Sequence, residues 1–282
     1  MQRLIKPISR LNPLNVKHSI GYLQQKYSTH GIDPLTATNA KLDSAELAKF
    51  YTHQSLSYAT TTSSFPLVLD TVSDYVAKNA INLPSQMVYG FPHQGINLKF
   101  GELKQRVDVA AQNLLDLGFV KGDRIAFVIP NSIEFVIAFL AASQIGLISV
   151  ALNPAYQLKE LEYMLKKTGT KGLVIYDTFK TLQHLTLMRK LCPELDSCAP
   201  GELKSAQLPD LKHIFIINSP LNPTIQEYKG TWSFNVISES KSRSVNHKIP
   251  YVEMDDPCLI MFTSGTTGKP KGKVNLNVLC LI

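Results

Sequence analysis

No acidic residue precedes Asp33, although Arg3, Lys6, Arg10, Lys17 and Lys26 fall in the same stretch. Those five bases account for most of the chain's excess charge. Its net charge is +7, from 29 basic and 22 acidic residues, and without the first 32 residues the balance is 24 to 22. A near-neutral body excludes an extended nucleic-acid surface. Cysteine is also scarce. Cys192, Cys198, Cys258 and Cys280 form no C-x-x-C pair and no metal-ligand spacing, so they read as free thiols of a reducing compartment. The N-terminus has no continuous apolar core of secretory length.

A long charge-free run does occur, from Phe135 to Leu158. A membrane span needs about 20 predominantly apolar residues. Here Ser143, Gln144, Gly146 and Ser149 interrupt the run, and Asn153-Pro154 ends it. Ile133 to Ala142 has the long-chained, Ala-rich make-up of a buried helix, and Leu147 to Leu152 that of a buried strand. No transmembrane segment is therefore expected.

The acid-free start has the composition of a mitochondrial transit peptide. At about 100° per residue, Arg3, Lys6, Arg10 and Lys17 share one helical face and Leu4, Ile8 and Leu11 another, against which Pro7 and Pro13 count. A disordered basic tail on a cytosolic protein is the plainer alternative. Residues 1–30 are thus expected to be a transit peptide leading to the mitochondrial matrix, and 31–64 a linker with a weak helix around Ser44 to Tyr51.

From Phe65 onward the pattern is regular. Leu69, Val72, Val76 and Ala80 predict a helix. Met87 to Phe91 and Ile96 to Phe100 predict a hairpin around Pro92-His-Gln-Gly95. Leu103, Val107, Ala110, Leu114 and Leu117 predict a helix stopped by Gly118. Strand Arg124 to Ile129 precedes the buried helix, capped by Asn131 or Ser132. After strand Leu147 to Leu152 come helix Lys159 to Thr168 (ended by Gly169), strand Gly172 to Tyr176, helix Thr178 to Leu191 and strand His213 to Asn218. Residues 219–256 read as irregular, and Cys258 to Phe262 as a last buried strand. Alternating strands and helices imply an α/β fold, with a mostly parallel sheet and helices on both faces. In such sheets ligands bind beyond the carboxyl ends of strands.

Behind that last strand stands Thr263-Ser264-Gly265-Thr266-Thr267-Gly268-Lys269-Pro270-Lys271-Gly272. Its glycines let backbone turn tightly and approach a ligand closely. Successive N–H groups in such a loop make an anion-binding nest. Four hydroxyl side chains add donors, and Lys269 and Lys271 add charge suited to a polyphosphate. The spacing is not that of a Walker A loop, which needs G-x-x-x-x-G-K-[ST]. A polar surface turn is the simpler reading of a shorter stretch.

This loop and its preceding strand resemble the AMP-binding signature of the acyl-adenylate-forming superfamily from Ile260 to Lys271. Upstream, Leu98-Lys-Phe-Gly-Glu-Leu, Lys121-Gly-Asp-Arg-Ile-Ala, Pro130-Asn-Ser, Val150-Ala-Leu-Asn-Pro and Glu160-Leu-Glu-Tyr-Met-Leu resemble its other motifs in order. Asn153-Pro-Ala-Tyr-Gln, Glu162-Tyr-Met-Leu-Lys-Lys, Cys192-Pro-Glu-Leu, Pro200-Gly-Glu-Leu-Lys-Ser and Leu208-Pro-Asp-Leu are most similar to the mitochondrial medium-chain acyl-CoA synthetases within it.

The resemblance implies a partial adenylation domain over 65–272, with Thr263 to Lys271 holding nucleotide phosphates. It also implies an ATP-dependent ligase joining a fatty acid to CoA through an acyl-adenylate, with Mg²⁺, in lipid metabolism. The family continues after Gly272 into a strand with a Ser/Thr-His pair, whereas residues 273–282 diverge. The family's Mg²⁺-binding acid, adenine pocket, ribose-binding Asp and lid lysine find no place here. The expectation is therefore a truncated ligase, with no catalytic residue assigned, no activity of its own and a bare sheet edge or an exposed apolar face. The alternative is a non-catalytic short product that binds nucleotide or a partner protein.

Overall fold

The computed structural model describes residues 70–219, 228–239, 247–263 and 270–277. The expected transit peptide, the linker with its weak helix, and Ser264 to Lys269 of the glycine-rich loop lie outside these residues. So do residues 278–282 of the divergent tail.

Helix α1 (Val72–Asn82) is opened by a capping box, in which the Thr71 side chain accepts from the Asp74 N–H and Asp74 from the Thr71 N–H. A hairpin follows, β1 (Met87–Phe91) and β2 (Ile96–Lys99), turned by a short 3-10 segment at Pro92–Gln94. Helix α2 (Phe100–Asp116) buries the face carrying Leu103, Val107, Ala110 and Leu114. The charge-free run then resolves into its expected parts. Strand β3 (Arg124–Val128) leads to helix α3 (Ile133–Gln144), capped by the Ser132 side chain, and to strand β4 (Ile148–Ala151). Among the described residues no helix is long and apolar enough to cross a membrane.

Helix α4 (Leu158–Thr168) ends at Gly169, whose φ of 58° is left-handed and suits glycine. Strand β5 (Gly172–Tyr176) is buried along its length. The helix expected from Thr178 does not start there. A two-stranded ribbon, β6 (Thr178–Phe179) with β7 (Leu182–Gln183), comes first, and helix α5 runs only over His184–Leu191. Lys180, at φ 54°, has a left-handed backbone that a right-handed helix cannot contain, and it turns β6 back onto β7. Just before this ribbon the Asp177 carboxylate accepts from the N–H groups of Thr178 (2.6 Å) and Ser219 (2.8 Å).

Strand β8 (His213–Ile217) is followed by β9 (Trp232–Ser233), the short helix α6 (Asn235–Ser238), β10 (Pro257–Thr263) and β11 (Lys271–Leu276). The seven-stranded sheet has the order β11-β10-β4-β3-β5-β8-β9. All its pairings are parallel except β10 with β11. This is the α/β architecture expected, and the alternation within strands shows why. Ile125, Phe127, Val174, Tyr176, Phe215 and Ile217 face one core with α2, α3 and α6. Ala126, Val128, Leu173, Ile175, Ile214 and Ile216 face the other, with α4 and α5. Burying both sides of the sheet removes apolar area from water at about 25 cal/mol per Å².

The sheet ends in an exposed edge strand, β11. Residues 271–276 pair along β10, from Thr263 opposite Lys271 to Pro257 opposite Leu276. Asn277 closes the arrangement. It is buried, its N–H and side-chain amide donate to the Asp256 carbonyl, and its side-chain oxygen accepts from Ser143 Oγ at 3.3 Å.

Candidate functional site

Strand order reverses between β3 and β5, the switch point of the sheet. The connection after β3 packs on one face and leads outward to β4, and the connection after β5 packs on the other and leads outward to β8. Loops at the carboxyl ends of these strands diverge and leave a crevice, the usual ligand position in such sheets. Strand β10 runs parallel beside β4, with Leu259 opposite Ser149 and Met261 opposite Ala151. The glycine-rich loop therefore leaves β10 at the same edge.

Three of the nine expected site residues are described. Thr263 ends β10 with its side chain exposed, and its Oγ1 donates to the Lys271 carbonyl at 3.4 Å. Lys271 opens β11 and is exposed, while Pro270 is half-buried. The pair Thr263 and Lys271 thus forms the mouth of a hairpin at the carboxyl edge of the sheet. Pro270 is held from outside the hairpin, because Tyr163 of α4 donates its hydroxyl to the Pro270 carbonyl at 3.3 Å. Ser264, Gly265, Thr266, Thr267, Gly268 and Lys269 lie outside the described residues.

The neighbouring loops at this edge are braced by their own polar groups. Gln94 accepts from the Ile133 N–H at 3.0 Å and donates to Glu134, which ties the β1–β2 turn to the start of α3. The Asn153 side chain accepts from the Ala155 N–H at 2.9 Å. His184 sits buried between the carbonyls of Pro154 (2.8 Å) and Tyr176 (3.2 Å), linking the β4–α4 loop to the end of β5. Burial raises the phenol pKa of Tyr176. The Ser132 hydrogen bond lowers it, and the charge of Glu134 adds to the rise.

The remaining perturbed groups stand elsewhere. His213, at the amino end of β8, is pushed down to about 4, first by burial and then by the Lys171 charge. The Cys192 and Cys198 thiols are raised, chiefly by burial, which makes them poor nucleophiles at neutral pH. A polar cleft of about 520 Å³ is lined by Thr71, Lys104, Gln144 and Tyr251, and so lies around the carboxyl end of α3, at the opposite edge of the sheet.

An exposed lysine and a threonine hydroxyl at the mouth of a hairpin, beyond the carboxyl ends of parallel strands, suit a polyphosphate. A Mg²⁺ ion finds no matching cluster of three or more acidic, histidine or cysteine groups among the described residues. Tyr163, Lys167, His184 and Gln94 were not singled out by sequence reasoning. Tyr163 and Lys167 carried a usable signal, since both stand in the run Glu162-Tyr-Met-Leu-Lys-Lys at helical spacing. His184 and Gln94 carried none, because their partners, backbone groups and the Glu134 carboxylate, stand 8 to 40 residues away.

Residues 76–274 match the family model of the AMP-binding enzyme. The medium-chain acyl-CoA ligase ACSF2, mitochondrial, of Pongo abelii is 39% identical over 221 residues, covering 77% of this chain and 35% of that protein. The Homo sapiens protein of the same description is 38% identical over 221 residues, with the same shares. This chain spans about a third of the length of the curated relatives it matches. Among solved structures, an anthranilate CoA ligase in complex with anthranoyl-AMP superimposes with a TM-score of 0.58 at 21% identity, covering 76% of this chain and 36% of that one. The N-terminal domain of FACL13 from Mycobacterium tuberculosis gives 0.55 at 22%, covering 73% and 44%. At these identities the structural likeness speaks for the fold alone.

Proposed function

The chain belongs to the AMP-binding enzyme family, and on that premise we propose that residues 65–272 supply the phosphate-holding part of an ATP-dependent acid–CoA ligase. The activity is a two-step one. A carboxylate attacks the α-phosphate of ATP and pyrophosphate leaves, and the thiol of CoA then displaces AMP from the acyl-adenylate. The observation that carries this reading is the hairpin mouth at the carboxyl edge of the parallel sheet, with Thr263 and Lys271 exposed there. On the loop's sequence, Thr263 to Lys271 take the β- and γ-phosphates, and Gly265 and Gly268 let the backbone come close to them. Phosphoryl chemistry of this kind depends mostly on positioning and charge neutralisation.

The relatives' descriptions support three finer proposals. The acid is a medium-chain fatty acid, the setting is lipid metabolism, and the compartment is mitochondrial. The basic, acid-free residues 1–30 support the last of these independently. Mg²⁺, when bound, would neutralise charge on the triphosphate, and no group of three or more acidic, histidine or cysteine side chains among the described residues offers it a site.

The test joins residues 1–272 to the remaining length of a curated relative. It measures exchange of pyrophosphate into ATP with acids of several chain lengths. Exchange that depends on a medium-chain acid is expected. Exchange that persists when Gly265 is replaced by Val would remove the loop from the reaction. Fractionation of cells expressing a C-terminally tagged chain checks the compartment. A full-length, cytosolic product speaks against import.

A further inference from the structure

We propose that Tyr163 and Lys167 of α4 are positioning residues for the phosphate-holding hairpin, through a chain of hydrogen bonds that ends on Pro270; this rests on the phosphate reading above. The geometry is short and directional. The Lys167 ammonium donates to the Tyr163 oxygen at 3.1 Å, and Tyr163 donates to the Pro270 carbonyl at 3.3 Å. Lysine can only donate and a carbonyl can only accept, so the phenol accepts one bond and gives the other. The order of protons is fixed by chemistry alone.

Each member suits its place. Tyr163 and Lys167 are four residues apart on one helix, which puts them on the same face. The Lys167 ammonium also stands over the Tyr163 ring, 5.4 Å from its centre. The ring of Tyr163 packs against the same core as Phe262, the penultimate residue of β10. Proline has no N–H, so the carbonyl is the one backbone polar group Pro270 can offer. A phenol that accepts from a cation is a stronger donor to its next partner, since linked hydrogen bonds polarise one another.

The consequence concerns Lys271. It follows Pro270 directly and stands opposite Thr263. Fixing the Pro270 carbonyl to a helix fixes the point where the second strand leaves the hairpin, and with it the backbone of the lysine read as a phosphate contact. Without the pin, the described contacts at that mouth are the ladder bonds and the Thr263 hydroxyl, at an exposed edge strand where fraying costs least.

The experiment uses the full 282-residue chain. Amide hydrogen exchange is followed at Lys271 and Gly272, with Val174 in the core as the internal reference. Tyr163→Phe and Lys167→Met are each expected to speed exchange at whichever of the Lys271 and Gly272 amides donates to β10 by about two- to tenfold, the range of one net hydrogen bond. Val174 should not change. Combining the two changes adds little, since either one breaks the chain. Lys167→Arg keeps the donor and charge and restores slow exchange, which a merely space-filling role would not require. Binding of inorganic tripolyphosphate by the unchanged chain should weaken by a similar factor in Tyr163→Phe.

Unchanged exchange in Tyr163→Phe overturns the pin. Faster exchange with unchanged tripolyphosphate affinity overturns the positioning role. An original chain that does not bind tripolyphosphate, yet exchanges faster on Tyr163→Phe, removes the phosphate reading and leaves the pin standing.

Discussion

Arg124, the first residue of β3, donates its Nε hydrogen to the carbonyl of Thr168, the last residue of α4, at 2.7 Å. A further hydrogen bond runs from its Nη2 to the Gly169 carbonyl. One guanidinium thus satisfies carbonyls that a helix end leaves unpaired, and it places a positive charge at the negative end of the helix dipole. It also ties the amino edge of the sheet to the helix that carries Tyr163.

Arg124→Met should therefore destabilise the chain by about 1.5–3 kcal/mol, the range for hydrogen bonds from a charged group. Gly169→Ala should act in the same direction. Its backbone is left-handed, and an added Cβ would come within 2.6 Å of Arg124 Nη2. Urea unfolding followed by circular dichroism measures both. Midpoints equal to that of the unchanged chain would show that the clamp is energetically idle.

His213 predicts an acid-sensitive stability. The ring is buried against Phe119 and Phe215, and its Nδ1 accepts from Trp232 Nε1 at 3.3 Å, which requires the neutral form. Its pKa is about 4 in the folded chain against an ordinary 6.5. The unfolded chain therefore takes up the proton first. The stabilising contribution is complete above about pH 6.5, declines as pH falls and is exhausted below about pH 4. His213→Gln, which does not titrate, should show a shallower loss of urea midpoint between pH 7 and pH 4. Parallel profiles for the two proteins would refute the assignment.

Loop substitutions should separate phosphate contacts from bystanders. In the joined protein described above, Lys271→Met should weaken ATP by about 10- to 100-fold, the effect of losing a charge-assisted hydrogen bond. Gly265→Val should be at least as severe, because a branched side chain fills the space a phosphate would approach. Lys269→Met should matter less, as the resemblance leaves that position free. ATP titration of thioester formation gives all three values. If turnover and ATP affinity survive both severe changes, the loop is a polar turn.

Asn277 predicts a link between the divergent tail and the rest of the sheet. Its amide donates to the Asp256 carbonyl at 3.2 Å and its oxygen accepts from Ser143. Asn277→Ala leaves the buried Ser143 without that acceptor, a loss of about 1–3 kcal/mol. Amide exchange along β11 should rise more than exchange in β5. Equal, unchanged protection in both strands would mean that the tail is held by strand pairing alone.

Much of the fold was legible because its signals are local. Short continuous apolar runs marked β3, β5 and β8, and helical periodicity marked α2 and α4. Ser132 and Gly169 stood where a helix must start and stop. The helix expected from Thr178 failed for a reason local reading does not see. Residues 178–191 have an apolar spacing compatible with a helix, but Lys180 takes a left-handed backbone and Phe179 pairs with Leu182 across it. The family and the glycine-rich loop were likewise legible, since both rest on contiguous motifs. The bracing around the loop was not. Tyr163 reaches Pro270 across 107 positions, and His184 reaches Pro154 across 30.

What the sequence determined by itself was therefore most of the strands and helices from Val72 to β8, together with β10, and the burial of both faces of the sheet. Each of these is encoded by residues close together in the chain. The tertiary structure alone decided the strand order, the edge of the sheet at which the hairpin opens and the fate of residues 271–277. That last stretch has few apolar residues to mark it as a strand. It becomes one because β10 offers an unpaired row of N–H and C=O groups, and Ser143 and Asp256 offer partners for Asn277. Backbone groups left without partners are costly wherever water is excluded, so the nearest extended segment pairs with them.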